Sequence, residues 1–127
     1  MRTLSPNTIS VLAGIAIGAS AVQCLYAGVK PPAYVVTEAD VTNLDAYTKD
    51  YLPLVRKAFV AGGGRYLVRN GKAIAFEGDR PKRIAILQFD NLDRAEAALT
   101  SGAFKDARAV GQQHATFRTF AIEGVLQ

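Results

Sequence analysis

The sequence predicts a single α+β domain, one antiparallel sheet with helices packed on one face. Three observations carry this. Stretches that alternate with period two exchange with stretches whose apolar residues recur at helical spacing. Glycines and an Asn-Gly pair fall between them, where chain reversal is needed. The 127 residues, once an apolar leader is set aside, leave about one domain's length of chain.

The leader comes first. Residues 1–27 carry one charge, Arg2, and no acid. Within them 9–22 is almost wholly small and apolar, short for a bilayer span of roughly 20 residues, and Gly14 and Gly18 weaken it as a packed helix. A short basic lead, an apolar run and a small-residue end read as a secretory signal peptide over 1–27. Ala19-Ser20-Ala21 fits the small-x-small rule for a cut after Ala21, and a cut after Ala27 is the alternative. The competing reading is an uncleaved anchor over 9–27, although Ser20 and Gln23 sit inside it. The expected location is periplasmic or secreted, by bacterial-type export, with no stable membrane span after cleavage. Cys24, the one cysteine, permits no internal disulfide, and Gln23 before it argues against a lipidated cysteine.

Residues 28–32, Gly-Val-Lys-Pro-Pro, read as a linker, because the two prolines deny backbone donors. The domain is expected over 33–127. Residues 33–41 alternate with β-branched members and predict a strand. Thr42 or Asn43 can cap the helix that follows, with Asp45 in its first turn. Leu44, Tyr47, Tyr51, Leu54, Val55, Ala58 and Phe59 give it an apolar side, and Pro53 predicts a kink after Tyr51. Gly62-Gly63-Gly64 ends it. Residues 65–69 are a second strand. Asn70-Gly71 then predicts a hairpin whose return strand runs through 73–77. Gly78-Asp79-Arg80-Pro81 is a loop, and 83–89 a long Ile/Leu-rich strand. Asn91 caps a helix from Leu92, Ser101-Gly102 interrupts it, 104–113 continues as helix, and 116–125 closes as a strand. The order is the ferredoxin-like βαββαβ plan.

Composition excludes some functions. Arg2 is the one charge before residue 28, so the remainder carries 14 basic and 11 acidic side chains, net +3. The basic residues are scattered, and the densest group, Arg80, Lys82 and Arg83, sits in a turn, so nucleic acid is not an expected partner. One histidine and one cysteine offer no metal set, and no metal or cofactor is expected. A domain of this size is marginal alone, which favours a homodimer.

The sheet face turned away from the helices supplies the main candidates. Tyr34, Glu38, Arg65, Arg69 and Gln88 can fall on it by alternation. Covered by a second subunit, they line a cleft and must pair, Glu38 with Arg65 or Arg69. The bland alternative is an interface ion pair without a ligand. Tyr47, Tyr51 and Tyr66 read as core with wet hydroxyls before they read as an aromatic pocket. His114 stands at a helix end, where a structural role is the simpler reading. The triple glycine follows a helix and precedes a strand, the reverse of a phosphate loop. Ser101, Asp106 and His114 show nothing that would orient them as a triad.

Ala33-Tyr34-Val35-Val36, Asp45-x-Tyr47, the string Gly63-Gly64-Arg65-Tyr66-Leu67-Val68-Arg69-x-Gly71, Glu77-Gly78-Asp79 with Pro81, and Glu123-Gly124-Val125 together resemble the domain-of-unknown-function 1330 family. The resemblance covers about residues 33–125. It implies a ferredoxin-like protomer that pairs through its sheet as a dimeric α/β barrel, and it implies no set activity. Relatives by fold include haem-degrading and quinone-forming monooxygenases, chlorite dismutases and muconolactone isomerases, an analogy of fold alone. Two departures stand out. Leu99-Thr100 precede Ser101 where the family often has an aromatic pair, and Gln88 replaces a frequent glutamate at the end of the third strand. The functional expectation is an exported dimer whose sheet cleft holds a small organic ligand. The alternative is a cofactor-free oxygenase or isomerase, with Glu38 as base and Arg65 or Arg69 holding an anion.

Overall fold

The computed structural model describes residues 28–127, so the expected leader, its cleavage sites and Cys24 lie outside the described residues. From Pro31 onward the chain forms one compact unit. Strand β1 (Ala33–Val41) leads into α1 (Leu44–Ala46), a π-helical turn (Tyr47–Tyr51) and α2 (Leu52–Ala61). Then come β2 (Arg65–Arg69), β3 (Arg83–Phe89), α3 (Leu92–Leu99), α4 (Gly102–Gly111) and β4 (Ala115–Glu123).

The caps sit where local chemistry wants them. The Asn43 side chain accepts from the Ala46 amide at 3.2 Å, Asn91 from Arg94 at 2.9 Å and Ser101 from Phe104 at 3.2 Å. Thr42 uses its hydroxyl differently, donating to the His114 carbonyl at 3.0 Å. The kink expected at Pro53 takes the form of the π-helical turn. Pro53 stands at the start of α2, and the Leu52 amide reaches back to the Tyr47 carbonyl, five residues away. A proline ring crowds the preceding turn, and widening that turn by one residue relieves it. Gly63, at φ +92°, turns the chain out of α2 into β2.

The four strands form one sheet in the order β2-β3-β1-β4, every neighbouring pair antiparallel. Ala33, Val35 and Ala39 of β1 and Leu87 and Phe89 of β3 are buried against Val55, Ala58 and Phe59 of α2, Ala95 and Ala98 of α3, and Phe104 and Ala107 of α4. Alternation then puts Tyr34, Val36, Glu38, Ile84, Ile86, Gln88, Arg118, Phe120 and Ile122 on the opposite, open face. No helix among the described residues is long and apolar enough to cross a membrane.

Two expectations need correction. Residues 73–77 do not return as a strand. They run without ladder bonds, and Ile74 and Phe76 are 79% and 92% exposed. Asn70 adopts φ +53°, as a turn after β2 needs, but the chain swings away and rejoins the sheet only at Arg83. The second concerns Arg69. Leu67 is an extra residue in β2: Tyr66 pairs with Leu87 and Val68 with Ile86. That bulge reverses the alternation, so Arg65, opposite Gln88, stays on the open face while Arg69, opposite Ala85, joins the helix face.

Candidate functional site

A cleft of about 60 Å³ opens between the helix face of the sheet and the π-helical turn. Its apolar walls are Tyr51, Val55, Phe59 and Phe117, with Tyr47 and Tyr66 beside them, and Thr37, Ala39 and Ala85 form the sheet floor. Arg56, Arg69, Arg83 and Asn70 add polar groups to the lining, with Leu52 and Ile84 completing it. No aspartate or glutamate lines it.

Each wall has a local cause. The widened turn carries Tyr47 and Tyr51, both buried, onto the same side of the chain, their ring centroids 5.1 Å apart. Phe117 of β4 closes the group, 5.2 Å from Tyr51 and 6.4 Å from Tyr47. Tyr51 can lie there only because residue 111 is glycine. A Cβ on Gly111 would stand 2.6 Å from two Tyr51 ring carbons and 3.0 Å from Phe117. The β2 bulge delivers Arg69, whose guanidinium lies 5.4 Å from the centre of the Tyr66 ring. Arg83 faces inward with Leu87 and Phe89 of its strand and sits 5.4 Å from the Tyr47 ring. Both are cation–π arrangements.

A fourth cation lies behind the wall. Arg108 of α4 is held between aromatic rings, 3.9 Å from the Phe117 centroid and 4.7 Å from that of Phe104. Its Nη1 donates to Thr119 Oγ1 at 3.2 Å, and Thr119 shares a 2.7 Å hydrogen bond with the Thr37 hydroxyl in the floor. Arg108 Nε and Nη2 are buried with no hydrogen-bond partner. Positive charge therefore accumulates around the cleft without an acid in its lining. The tyrosines stay neutral. Burial pushes the Tyr51 hydroxyl up to about 12 against the opposing pull of Arg108. Burial likewise raises Tyr47, opposed mainly by Arg83, and Tyr66, opposed by Arg56 and Arg69. At neutral pH all three are hydrogen-bond donors, not bases.

Of the five residues expected on the open sheet face, Tyr34, Glu38, Arg65 and Gln88 lie there and Arg69 lies in the cleft. The register separates Glu38 from both proposed arginines. Glu38 is opposite Ile84 and Arg118, whereas Arg65 is opposite Gln88, which is itself opposite Tyr34. Glu38 Oε2 instead accepts from the Lys82 amide at 3.0 Å, and the Lys82 ammonium pairs with Asp40 at 2.8 Å. Tyr47, Tyr51 and Tyr66 are both core and pocket wall. The His114 carbonyl accepts from the Thr42 amide at 2.8 Å, an anchor between the end of β1 and the start of β4. Gly62-Gly63-Gly64 is a turn, its amides bonded back to α2. No group of three or more metal-ligating side chains occurs among the described residues.

The sequence reading passed over Arg56 and Arg108 and grouped Arg83 with the basic residues of a turn. A signal existed for two of them. Arg83 shares the parity of Leu87 and Phe89, and Arg108 stands four residues from Phe104 on the buried side of its helix. A cation in register with an apolar stripe marks a place where charge is turned inward.

No curated protein matches this chain. Among solved structures it is similar to a protein of unknown function from Rhodopseudomonas palustris, with 11% identity and a TM-score of 0.55. That match covers 85% of this chain and 94% of the other. It is similar as well to SnoaB, a cofactor-independent oxygenase from Streptomyces nogalater, with 11% identity and a TM-score of 0.55. There the cover is 76% of this chain and 96% of the other. At such identities the likeness is one of fold, and it agrees with the ferredoxin-like α+β architecture. Residues 32–125 match the profile of the domain of unknown function DUF1330, and the chain belongs to that family.

Proposed function

We propose that this protein is an exported homodimer whose helix–sheet cleft binds a small organic anion. One observation carries the ligand reading: three arginines line a largely aromatic cleft that contains no carboxylate. Arg83 is half-buried while Arg56 and Arg69 are exposed, and with no carboxylate lining the cleft the counter-charge to the three is left to a ligand. The small volume admits one ring or a short apolar chain between Tyr51, Val55 and Phe59. The anionic end then meets Arg56, Arg69 and Arg83, and the neutral tyrosine hydroxyls donate to it. The exposed Phe120 and Ile122 and the half-buried Val36, Ile84 and Ile86 make the open face the natural dimer surface, with Tyr34, Glu38, Arg65 and Gln88 as its polar members.

Native mass spectrometry of protein purified from the periplasm tests this reading, since it reports carried ligand, subunit number and loss of 21 or 27 residues together. Titration calorimetry then compares benzoate and phenylacetate with their uncharged amides. The anions should bind and the amides should be weaker by about tenfold or more. Equal binding of the amides would overturn the charge argument, and no binding by any of them would overturn the ligand class.

A second reading, a cofactor-independent oxygenase or isomerase, is favoured by the same arginines. Positive charge lowers the pKa of a bound phenol or enol, and the resulting anion can supply electrons to oxygen or shift a proton. With no carboxylate lining the cleft, such a substrate would ionise under the arginine field alone. SnoaB lends this reading the analogy of fold. Oxygen uptake with an electron-rich phenol, abolished in Arg83→Gln, is the result that separates the enzyme from the binding protein.

A further inference from the structure

We propose that the segment 71–82 is an arm that crosses to a second copy of the chain, its Ile74 and Phe76 packing on that copy's open sheet face. This rests on the homodimer reading above. The arm carries the largest unexplained apolar surface among the described residues: Phe76 is 92% exposed and Ile74 79%. Residues two apart share a face in an extended strand, so Ile74 and Phe76 would be presented together, with Ala73 and Ala75 opposite, once the arm pairs across the dimer. This is the pattern of a strand that covers an apolar surface, and within its own protomer the segment has no ladder partner.

The chain supplies a matching surface on itself. The open face displays Phe120, 43% exposed, and Ile122, 56% exposed, beside half-buried Val36, Val68, Ile84 and Ile86. It carries charges of both signs, Glu38 next to Arg118 and Arg65 farther along, so it suits a two-fold partner and not one of uniform charge. A two-fold pairing covers both arms and both faces at once.

Reach and area agree. Twelve residues out and back extend roughly 20 Å at about 3.3 Å per residue, and a four-stranded sheet is roughly 15 Å wide at about 4.8 Å per strand. At their exposures, Ile74, Phe76, Phe120 and Ile122 offer roughly 500 Å² per protomer, taking about 200 Å² for each full side chain. A stable interface needs about 800 Å² per partner, so these four supply most of it and the half-buried aliphatic residues the remainder. The arm is flanked by Asn70 and Arg83, both lining the cleft, so docking the arm fixes one side of the cleft mouth.

The test uses the full chain and its Phe76→Asp variant, with circular dichroism confirming that the protomer fold is kept. Light scattering over a dilution series should show a wild-type dimer and, for Phe76→Asp, dissociation at about tenfold lower dilution or less. A Phe76→Cys, Phe120→Cys double variant in a Cys24→Ser background should cross-link between subunits on oxidation. A wild-type dimer with Phe76→Asp equally tight and no cross-link would overturn the arm and leave the dimer standing. A wild-type monomer at micromolar concentration would overturn both. Wild-type binding to lipid vesicles that Phe76→Asp abolishes, with the dimer unchanged, would assign the arm to a membrane and overturn the proposal.

Discussion

Gly111→Ala should destabilise the protein and close the cleft. Residue 111 ends α4, and its Cβ would approach Tyr51 Cδ1 and Cε1 to 2.6 Å and Phe117 Cζ to 3.0 Å. Ordinary carbon contacts lie at about 3.5–4.0 Å, so the Tyr51 ring must retreat by about 1 Å. It has little room. Tyr51 is 3% exposed and backed by Tyr47 and Phe117 at 5.1 and 5.2 Å. Overpacking of this kind costs about 1–3 kcal/mol, while alanine returns up to about 1 kcal/mol of helix propensity. The net loss is therefore about 1–2 kcal/mol, which in a domain of about 100 residues lowers Tm by roughly 4–16 °C. Gly102→Ala is the control, because a Cβ there meets nothing within 4 Å. It should be neutral or slightly stabilising. Thermal unfolding followed by circular dichroism reads both variants, and calorimetry with benzoate should show binding reduced only in Gly111→Ala. If Gly111→Ala unfolds at or above the wild-type Tm, Tyr51 does not pack against α4 as described, and the cleft geometry fails with it.

Burial holds the Tyr51 hydroxyl at about 12, above its ordinary value of 10.0, so the unfolded chain gives up this proton first. The associated stability is whole below pH 10 and is lost as pH rises to about 12, to a total of roughly 2–3 kcal/mol. Urea midpoints measured between pH 9 and 12 should fall in the wild type and much less in Tyr51→Phe, and parallel curves would refute the assignment. Glu38→Ala should lower the urea midpoint more than Asp79→Ala. Glu38 is half-buried and accepts the Lys82 amide in a solvent-exposed hydrogen bond worth about 0.5–1.5 kcal/mol, whereas Asp79 lies exposed in the loop, where changes stay within about 0.5 kcal/mol. Equal, small shifts would mean that the Lys82 contact contributes nothing.

Local chemistry was legible in the sequence because its causes are local. Asn43, Asn91 and Ser101 cap the residues that follow them, Gly63 supplies its own φ, and Pro53 disturbs the turn immediately before it. Alternation along β1, β3 and β4 separates their two faces with no knowledge of what covers them, and the order of elements leads to the ferredoxin-like plan. The site depended on longer-range facts. One inserted residue, Leu67, moves Arg69 to the other side of the sheet, and a single residue's register is set by pairing with β3, not by anything within β2. Glu38 and Arg65 share a face yet sit at different rows, because the offset between β1 and β3 decides who stands opposite whom. The cleft joins Tyr47, Arg83 and Phe117, 36 and 34 residues apart along the chain, and only the packing of the helices on the sheet brings them together. The strand signal in 73–77 shows the same limit from the other side. Those residues carry strand propensity, yet β2 ends the sheet with an unpaired outer edge and the segment does not pair with it, so propensity beside an open edge does not by itself make a strand.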